Sequence, residues 1–333
     1  MASFTSDGVQ IAYDDLTPPD GAERTVVLIH GFVSNRNEGW KRTGWYTAFE
    51  RRHMRVIALD QRGHGESAKL YEPDAYGREK MAGDVLALMD HLDVRHADLF
   101  GYSMGTRTAL AAAIAAPHRV SNLILGGVGA KMLEPAPVVV GEPMADALLT
   151  DDISTITEPM LQSFRQFADE QGEDRKALAA LTRRPSTAFD RDAVAGLNMP
   201  VLVVTGQGDT LAGDPEGLAR AFPRGHAVTV PGCDHFSAIP HALTKAAVFD
   251  FLDGLLDEDD FPPFEFVIGM NPGLTGASQV EENWRGDFDY LYDRVGTGVF
   301  CLTMHPQVIG RGHRMLMLER LMRTMAELPG VRF

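Results

Sequence analysis

The sequence has few cysteines, few basic residues and no long apolar run. Its two cysteines, Cys233 and Cys301, are too few for a disulfide framework and form no paired metal motif. No segment approaches the roughly 20 apolar residues that a membrane-spanning helix needs. The N-terminus has neither a basic start nor an apolar core of signal-peptide length. We therefore expect a cytoplasmic protein that does not associate with membranes.

Acidic residues outnumber basic ones, with 46 Asp and Glu against 31 Lys and Arg, and the net charge is -15. This balance argues against nucleic acid or an anionic membrane as the main partner. The chain of 333 residues is 44% hydrophobic, so a sizeable buried core is expected.

Short apolar runs alternate with helical patterns along most of the chain. A hairpin turning at Asp7-Gly8 comes first, because this dipeptide suits a tight turn. Runs typical of strands buried on both faces of a sheet follow at 25–29, 56–59, 97–102, 120–125, 201–205 and 227–230. Helical patterns lie at 46–52, 78–92, 104–116, 216–221 and 241–256. This order predicts an α/β fold with a mostly parallel, doubly wound sheet.

Two intervals depart from the alternation. Residues 131–198 contain no clear strand and read as amphipathic helices around 160–167 and 175–181, which predicts a small helical cap over the sheet. An acidic run followed by Pro262-Pro263 marks a boundary near residue 257. We therefore expect a domain at 1–257 and a short α+β tail at 258–333.

The stretch Gly101-Tyr102-Ser103-Met104-Gly105 ends a predicted strand and opens a predicted helix. Gly-x-Ser-x-Gly in that context is typical of a nucleophile elbow, in which glycines relieve crowding around a strained serine. A serine beside glycine can also be a plain helix cap. Strand, elbow and helix in the required order favour Ser103 as a nucleophile, which needs a base and an orienting acid.

His235 and Asp209 are the candidates for those two roles. His235 follows the last predicted strand, and Asp209 follows the strand before it, so both lie at the same sheet edge as Ser103. The chain order serine, aspartate, histidine is the order expected of this arrangement. Asp214 reads as a cap of the next helix, and Asp234 is adjacent to His235 and poorly placed to orient it.

Backbone N–H groups of Phe32 and Met104 are the expected oxyanion hole. Phe32 follows the first long strand, and Met104 follows the nucleophile at a helix N-terminus. His30 is expected to order its loop rather than transfer protons. Four large apolar residues are candidates for lining the substrate pocket, although core packing is the commoner role of such residues: Trp40, Trp45, Met132 and Met160.

Residues 1 to about 257 resemble the α/β-hydrolase superfamily through "HGF" at 30–32, "DQRGHGES" at 60–67, "GYSMG", "TGQGD" at 205–209 and "DHF" at 234–236. Arg62, Gly63 and Gly65 shape a turn in this reading, and Thr106 stands where many relatives have a glycine. With serine at the elbow, the resemblance implies an acyl-enzyme route on a small-molecule acyl substrate, without metal or organic cofactor. A carboxylic ester is the expected substrate; a thioester, lactone or vinylogous diketone would use the same residues.

The last part of the chain resembles the C-terminal end of the polysaccharide-deacetylase family, whose final motif is Leu-x-His on a strand; here Leu302-Thr303-Met304-His305 ends an apolar run. An amphipathic helix is expected at 311–328, with Leu316, Leu321 and Met325 on its apolar side. The family's metal-binding motifs are missing, and His305 with His313 supplies too few ligands, so we expect no deacetylase activity. A homodimer through this tail is a hypothesis. The alternatives to an enzyme are a non-catalytic small-molecule binder and a tail-mediated interaction protein.

Overall fold

The computed structural model describes residues 2–135, 140–256, 284–286, 288–295 and 312–331. The chain divides into two compact units, Met1–Leu255 and Leu256–Phe333. The first unit contains an eight-stranded sheet in the order β1-β2-β4-β3-β5-β6-β7-β8. Its strands are β1 (Ala2–Ser6), β2 (Val9–Leu16), β3 (Arg24–Ile29), β4 (Met54–Leu59), β5 (Ala97–Tyr102), β6 (Val120–Gly126), β7 (Val201–Gly206) and β8 (Gly225–Val230).

The sheet is parallel except at one edge. Strands β1 and β2 form the predicted hairpin, with positive φ at both Asp7 and Gly8, and β2 also pairs antiparallel with β4. All later pairings are parallel, and Leu28 of β3 lies opposite Ala58 of β4 and Phe100 of β5. Strands β5 and β7 are buried along their whole length, because helices cover both faces. The prediction of a mostly parallel, doubly wound sheet is confirmed.

Helices connect the strands and cover the sheet. The helices of the first unit are α1 (Trp45–Glu50), α2 (Arg78–His91), α3 (Met104–Ala115), α4 (Glu142–Leu149), α5 (Pro159–Gln171), α6 (Arg175–Thr182), α7 (Arg191–Ala195), α8 (Pro215–Ala219) and α9 (Ala242–Leu252). Helices α2 and α3 pack their apolar sides on the sheet, with Val85, Leu88 and Leu110 fully buried. The expected helices therefore all exist, with ends shifted by a few residues.

The cap consists of α4, α5 and α6, between β6 and β7. Met144, Leu148 and Leu178 form its apolar centre, and they pack on Val33 from the loop after β3. The predicted cap helices around 160–167 and 175–181 correspond to α5 and α6. Asp174 begins α6 by accepting hydrogen bonds from the N–H groups of Lys176 and Ala177, which satisfies two donors that the helix leaves unpaired.

In the second unit, a helix at Gly312–Ala326 matches the predicted amphipathic helix. Leu321 and Met325 pack on Phe288, and the Tyr292 hydroxyl donates to the Pro329 carbonyl at 3.0 Å. The motif from Leu302 to His305, Cys301 and Pro262-Pro263 lie outside the described residues, as do the side chains of Leu316 and His313. The resemblance of the tail to polysaccharide deacetylases and the homodimer stay predictions.

Candidate active site

Ser103 lies at the sharp turn between β5 and α3. Its φ of 53° and ψ of -117° are rare for a residue with a side chain. The turn fits only because its neighbours are glycines. A Cβ on Gly101 would lie 2.5 Å from the Gly105 carbonyl oxygen, and a Cβ on Gly105 would lie 2.6 Å from that of His30. The strained turn exposes the Ser103 hydroxyl at the carboxyl edge of the sheet.

The structure brings His235 and Asp209 to this hydroxyl. His235 Nε2 lies 3.0 Å from Ser103 Oγ, and His235 Nδ1 lies 2.8 Å from Asp209 Oδ2. The Asp209 side chain is fully buried, while that of His235 is 9% exposed. The second carboxylate oxygen of Asp209 accepts the N–H groups of Leu211 and Ala212, both at 3.0 Å. These bonds hold the carboxylate in one orientation, so it can fix the tautomer of the imidazole.

The two other candidate aspartates have structural roles. Asp214 accepts the Gly217 N–H at 2.9 Å and begins α8. Asp234 accepts the N–H groups of Phe236 and Ser237 at 3.0 and 2.8 Å, which holds the turn that carries His235. Neither carboxylate is therefore directed at the imidazole.

Tyr102 is a part of the site that the sequence analysis missed. Its buried hydroxyl donates to the backbone carbonyl of His235 at 2.6 Å, so the residue before the nucleophile also positions the base loop. Burial, assisted by the nearby Asp209, raises the pKa of this phenol, which keeps it protonated and donating. Its position directly before Ser103 was the only available signal.

The backbone N–H groups of Phe32 and Met104 lie on either side of the nucleophile turn. Within the described part of the chain, neither group donates a hydrogen bond to another residue. Gly31 allows the loop after β3 to pass close by, because a Cβ there would meet Ser103 Cβ at 3.3 Å. Two unpaired N–H groups beside a nucleophile are suited to holding an oxyanion.

His30 is fully buried beneath this loop and does not contact Ser103. Its Nε2 accepts the Gln61 N–H at 2.9 Å, and its Nδ1 lies 2.8 Å from the Gly31 carbonyl oxygen. The Gln61 side chain donates to the His30 carbonyl at 2.6 Å and accepts from Thr108 at 2.7 Å. Burial lowers the pKa of His30, so the ring stays neutral and orders the loop.

The "DQRGHGES" turn is held by buried ion pairs. Arg62 forms a two-bond pair with Asp84 of α2, with both distances at 2.7 Å and both side chains at most 2% exposed. Gly63 and Gly65 both have positive φ. Arg36 pairs with Asp60 at the start of the turn. The turn therefore supports the loop that carries Phe32, and none of its described side chains forms a hydrogen bond with the Ser103 hydroxyl.

An aromatic wall, formed by Phe32, Phe164, Phe167 and Phe236, lies between the cap and the base loop. Phe164 lies 5.7 Å from the ring of Phe32 and 6.3 Å from that of Phe236, measured between centroids. Phe236 is next to His235 and is 53% exposed. Met160, one of the predicted pocket residues, packs on the same cap cluster. The spacing of 160, 164 and 167 on α5 was the sequence signal for this wall.

The three other predicted pocket residues lie in core contacts. Trp40 and Trp45 are fully buried around Phe100, at centroid distances of 4.8 and 4.9 Å, and the Trp45 indole donates to the Ile239 carbonyl. Met132 is 4% exposed and belongs to the main core. These contacts place the three residues in the core, and their substrate-binding role stays a prediction.

Among the residues that the structure describes, no group of three or more His, Cys, Asp or Glu side chains is placed to hold a metal ion. None of the helices described is both long and apolar enough to cross a membrane.

Residues 24–150 match the family model described as alpha/beta hydrolase fold. A curated relative, the dihydrolipoyllysine-residue acetyltransferase component of the acetoin cleaving system of Pseudomonas putida, is 33% identical over 63% of this chain, which spans 58% of that protein. The 2-hydroxy-6-oxononadienedioate/2-hydroxy-6-oxononatrienedioate hydrolase of Cupriavidus pinatubonensis is 28% identical over 70% of this chain and 87% of its own length.

Solved structures agree with the sequence matches. A crystal structure of a hydrolase from Pseudomonas aeruginosa superposes with a TM-score of 0.63 and 26% identity, covering 75% of this chain and 97% of that one. The chain therefore has the α/β-hydrolase fold, and two of these three relatives are named as hydrolases, which supports a hydrolase enzyme.

Proposed function

We propose that the protein is a serine hydrolase that cleaves a carboxylic ester or a related acyl compound through an acyl-enzyme intermediate. The observation that carries the proposal is the connected set Ser103, His235 and Asp209, with hydrogen-bond distances of 3.0 and 2.8 Å. A serine hydroxyl becomes a good nucleophile when a positioned imidazole takes its proton and a carboxylate orients that imidazole.

In the first half of the reaction, Ser103 Oγ attacks the substrate carbonyl carbon while His235 Nε2 takes the hydroxyl proton. The carbonyl oxygen becomes an oxyanion that the N–H groups of Phe32 and Met104 hold. His235 then gives its proton to the leaving alkoxide, and the acyl group stays on Ser103. In the second half, His235 takes a proton from water, the hydroxide adds to the acyl carbon, and Ser103 leaves as the free hydroxyl.

The aromatic wall supports an apolar part of the substrate. Phe164 and Phe236 approach the site from the cap and from the base loop, so an acyl or alkyl group at Ser103 would be covered on two sides. A cleaved carbon–carbon bond is the second candidate, because one relative is named as a hydrolase of a 2-hydroxy-6-oxo dienedioate. Both reactions need the same nucleophile and base.

Hydrolysis of a p-nitrophenyl ester series from acetyl to dodecanoyl tests the proposal. We expect turnover by the wild-type protein, a chain-length optimum that reports pocket size, and loss of turnover in Ser103→Ala. Ser121→Ala is a matched control, since Ser121 is exposed near the start of β6, at the end of the strand away from the nucleophile. Two outcomes would contradict the proposal. One is turnover that survives in Ser103→Ala, and the other is a wild-type protein that turns over no ester and no vinylogous diketone.

A further inference from the structure

A cavity of about 260 Å³ includes Met104, the residue directly after Ser103, in its lining. Its walls come from the start of α2, from α3 and from the segment after the cap helix α6. Met104 both follows Ser103 and borders this cavity. The cavity therefore borders the nucleophile turn at the residue whose N–H is the expected oxyanion donor.

The cavity has three arginines in its lining, Arg78, Arg107 and Arg184. These three residues come from three different elements, so only the tertiary structure brings them together. The hydroxyl-bearing residues Thr108 and Thr187 share the same lining. Thr108 already donates to Gln61 and Thr187 accepts from Arg78, so the arginines are the groups that would bind a carboxylate or a phosphate here.

Two of these arginines have no acidic partner. Arg107 donates to the Glu134 carbonyl at 2.9 Å and Arg184 to the Leu181 carbonyl at 2.7 Å. In the described parts of the chain, no Asp or Glu carboxylate forms an ion pair with either one. Burial lowers the pKa of Arg184 to about 10, with the Arg107 charge adding to the effect. Half-buried like charges without counter-ions are costly, and a bound anion would offset that cost.

The acidic groups at this cavity lie at its exposed edge. Glu79 is 3.7 Å from Arg78, but its side chain is 84% exposed, and Asp74 is exposed as well. Arg78 is already bonded to Thr187 and packs on the ring of Phe189. Arg107 and Arg184 are consequently the two cations available to a ligand inside the cavity.

We propose that this cavity is an anion-binding subsite of the same active site, and that it takes the carboxylate of a substrate that is both an acyl compound and an acid. Half-esters of dicarboxylic acids and lactones that carry a carboxylate belong to this class. The inference rests on the proposed function for the placement of the reacting carbonyl at Ser103. Arg184 and Arg107 determine specificity and take no part in bond cleavage.

Calorimetric titration of the Ser103→Ala protein separates binding from turnover. The two probes are monomethyl adipate and methyl 6-hydroxyhexanoate, which is neutral and similar in length. We expect the half-ester to bind at least about tenfold more tightly, since charge-assisted hydrogen bonds to a carboxylate are strong. Adding Arg184→Met should bring the two affinities close together, and Arg184→Lys should restore part of the difference.

Controls address folding and surface charge. Arg107→Met provides a second removal of charge in case Arg184→Met does not fold, which circular dichroism reports. Arg220→Met removes an arginine that directly follows α8 and is 68% exposed, and it should leave the preference for the half-ester unchanged. If Arg220→Met abolished the preference for the half-ester as fully as Arg184→Met does, that preference would reflect the overall charge of the protein. This result would overturn the subsite.

Equal affinities of the two probes, or no binding of the half-ester, also overturn the subsite. If neutral esters are still hydrolysed in a Ser103-dependent way, the proposed function stands while the anion subsite fails. Conversely, Arg184-dependent binding of the half-ester without any Ser103-dependent turnover supports the subsite and contradicts the proposed function. Binding measurements therefore test the anion subsite, and Ser103-dependent turnover tests the proposed function.

Discussion

The Asp209 carboxylate meets the His235 imidazole at 2.8 Å, and its other oxygen is held by two backbone N–H groups. One oxygen is thus anchored to the loop while the other faces the ring. This arrangement makes Asp209 a rigid acceptor for a single tautomer of His235, with Nδ1 carrying the proton and Nε2 facing Ser103.

Asp209→Asn tests this relationship. The asparagine retains an oxygen for the two backbone donors but loses the charge that selects the tautomer, so we expect kcat to fall by roughly 10³- to 10⁴-fold with little loss of stability. Ester hydrolysis and thermal unfolding measure the two effects. Asp214→Asn is the control, because asparagine also caps a helix well. Similar activity in the two variants would contradict the role of Asp209.

Gly105→Ala should disrupt the nucleophile turn. The added Cβ would meet the backbone carbonyl oxygens of Ile29 and His30 inside van der Waals contact, so α3 has to move away from β3. We expect a large loss of stability and of activity, measured by urea unfolding and ester hydrolysis. Gly83→Ala on α2 is the matched control, since nothing lies within 4 Å of its Cβ position. It should stabilise the protein by about 0.5–1 kcal/mol; equal effects of the two changes would contradict the close-packing argument.

The Arg62–Asp84 pair should be strongly coupled to folding. Its side chains are 1% and 2% exposed, so Asp84→Asn leaves a buried cation without its counter-ion. We expect the free energy of unfolding in urea to fall by about 3–5 kcal/mol. Glu216→Gln breaks an exposed pair with Arg220 and should cost less than about 1 kcal/mol. A similar small loss for Asp84→Asn would show that the buried pair does not hold the turn.

Glu173 should make stability depend on pH. It lies between α5 and α6 and accepts hydrogen bonds from Gly65 N–H and Asn35, which link the cap to the "DQRGHGES" turn. Burial raises the pKa of its carboxyl above 4.5, although the Asn35 and Gly65 bonds and Lys69 oppose the rise. The folded state therefore binds this proton more tightly than the unfolded state does. Its contribution to stability is full below 4.5 and is lost as pH rises through the folded pKa.

Glu173→Gln removes this titration. The free energy of unfolding of the variant, relative to the wild type, should therefore increase as pH rises from acid to neutral values. Urea unfolding at several pH values measures the difference. Glu170→Gln, exposed on α5, should show no such trend. A difference between Glu173→Gln and wild type that is constant with pH would contradict the effect of burial.

The sequence alone was sufficient for the order of strands and helices in the first unit. Apolar runs such as 201–205 are long and uniform enough to predict buried strands, and Asp7-Gly8 predicts its turn from local backbone preference. The glycines around Ser103 and the chain order of the candidate triad are likewise local or linear features. Such features depend on a few residues or on their order in the chain, so they can be recognised without knowledge of the fold.

The tertiary structure decided how large apolar residues from separate elements meet. It buried Trp40 and Trp45 against Phe100, whereas the choice of Asp209 over Asp214 and Asp234 already followed from the sequence. It also assembled the aromatic wall and the arginine-lined cavity from separate elements. Each of these contacts joins residues far apart in the chain, and their meeting depends on strand order and helix packing. Composition, periodicity and short motifs carry no information of that kind, whereas they do specify the elements that pack.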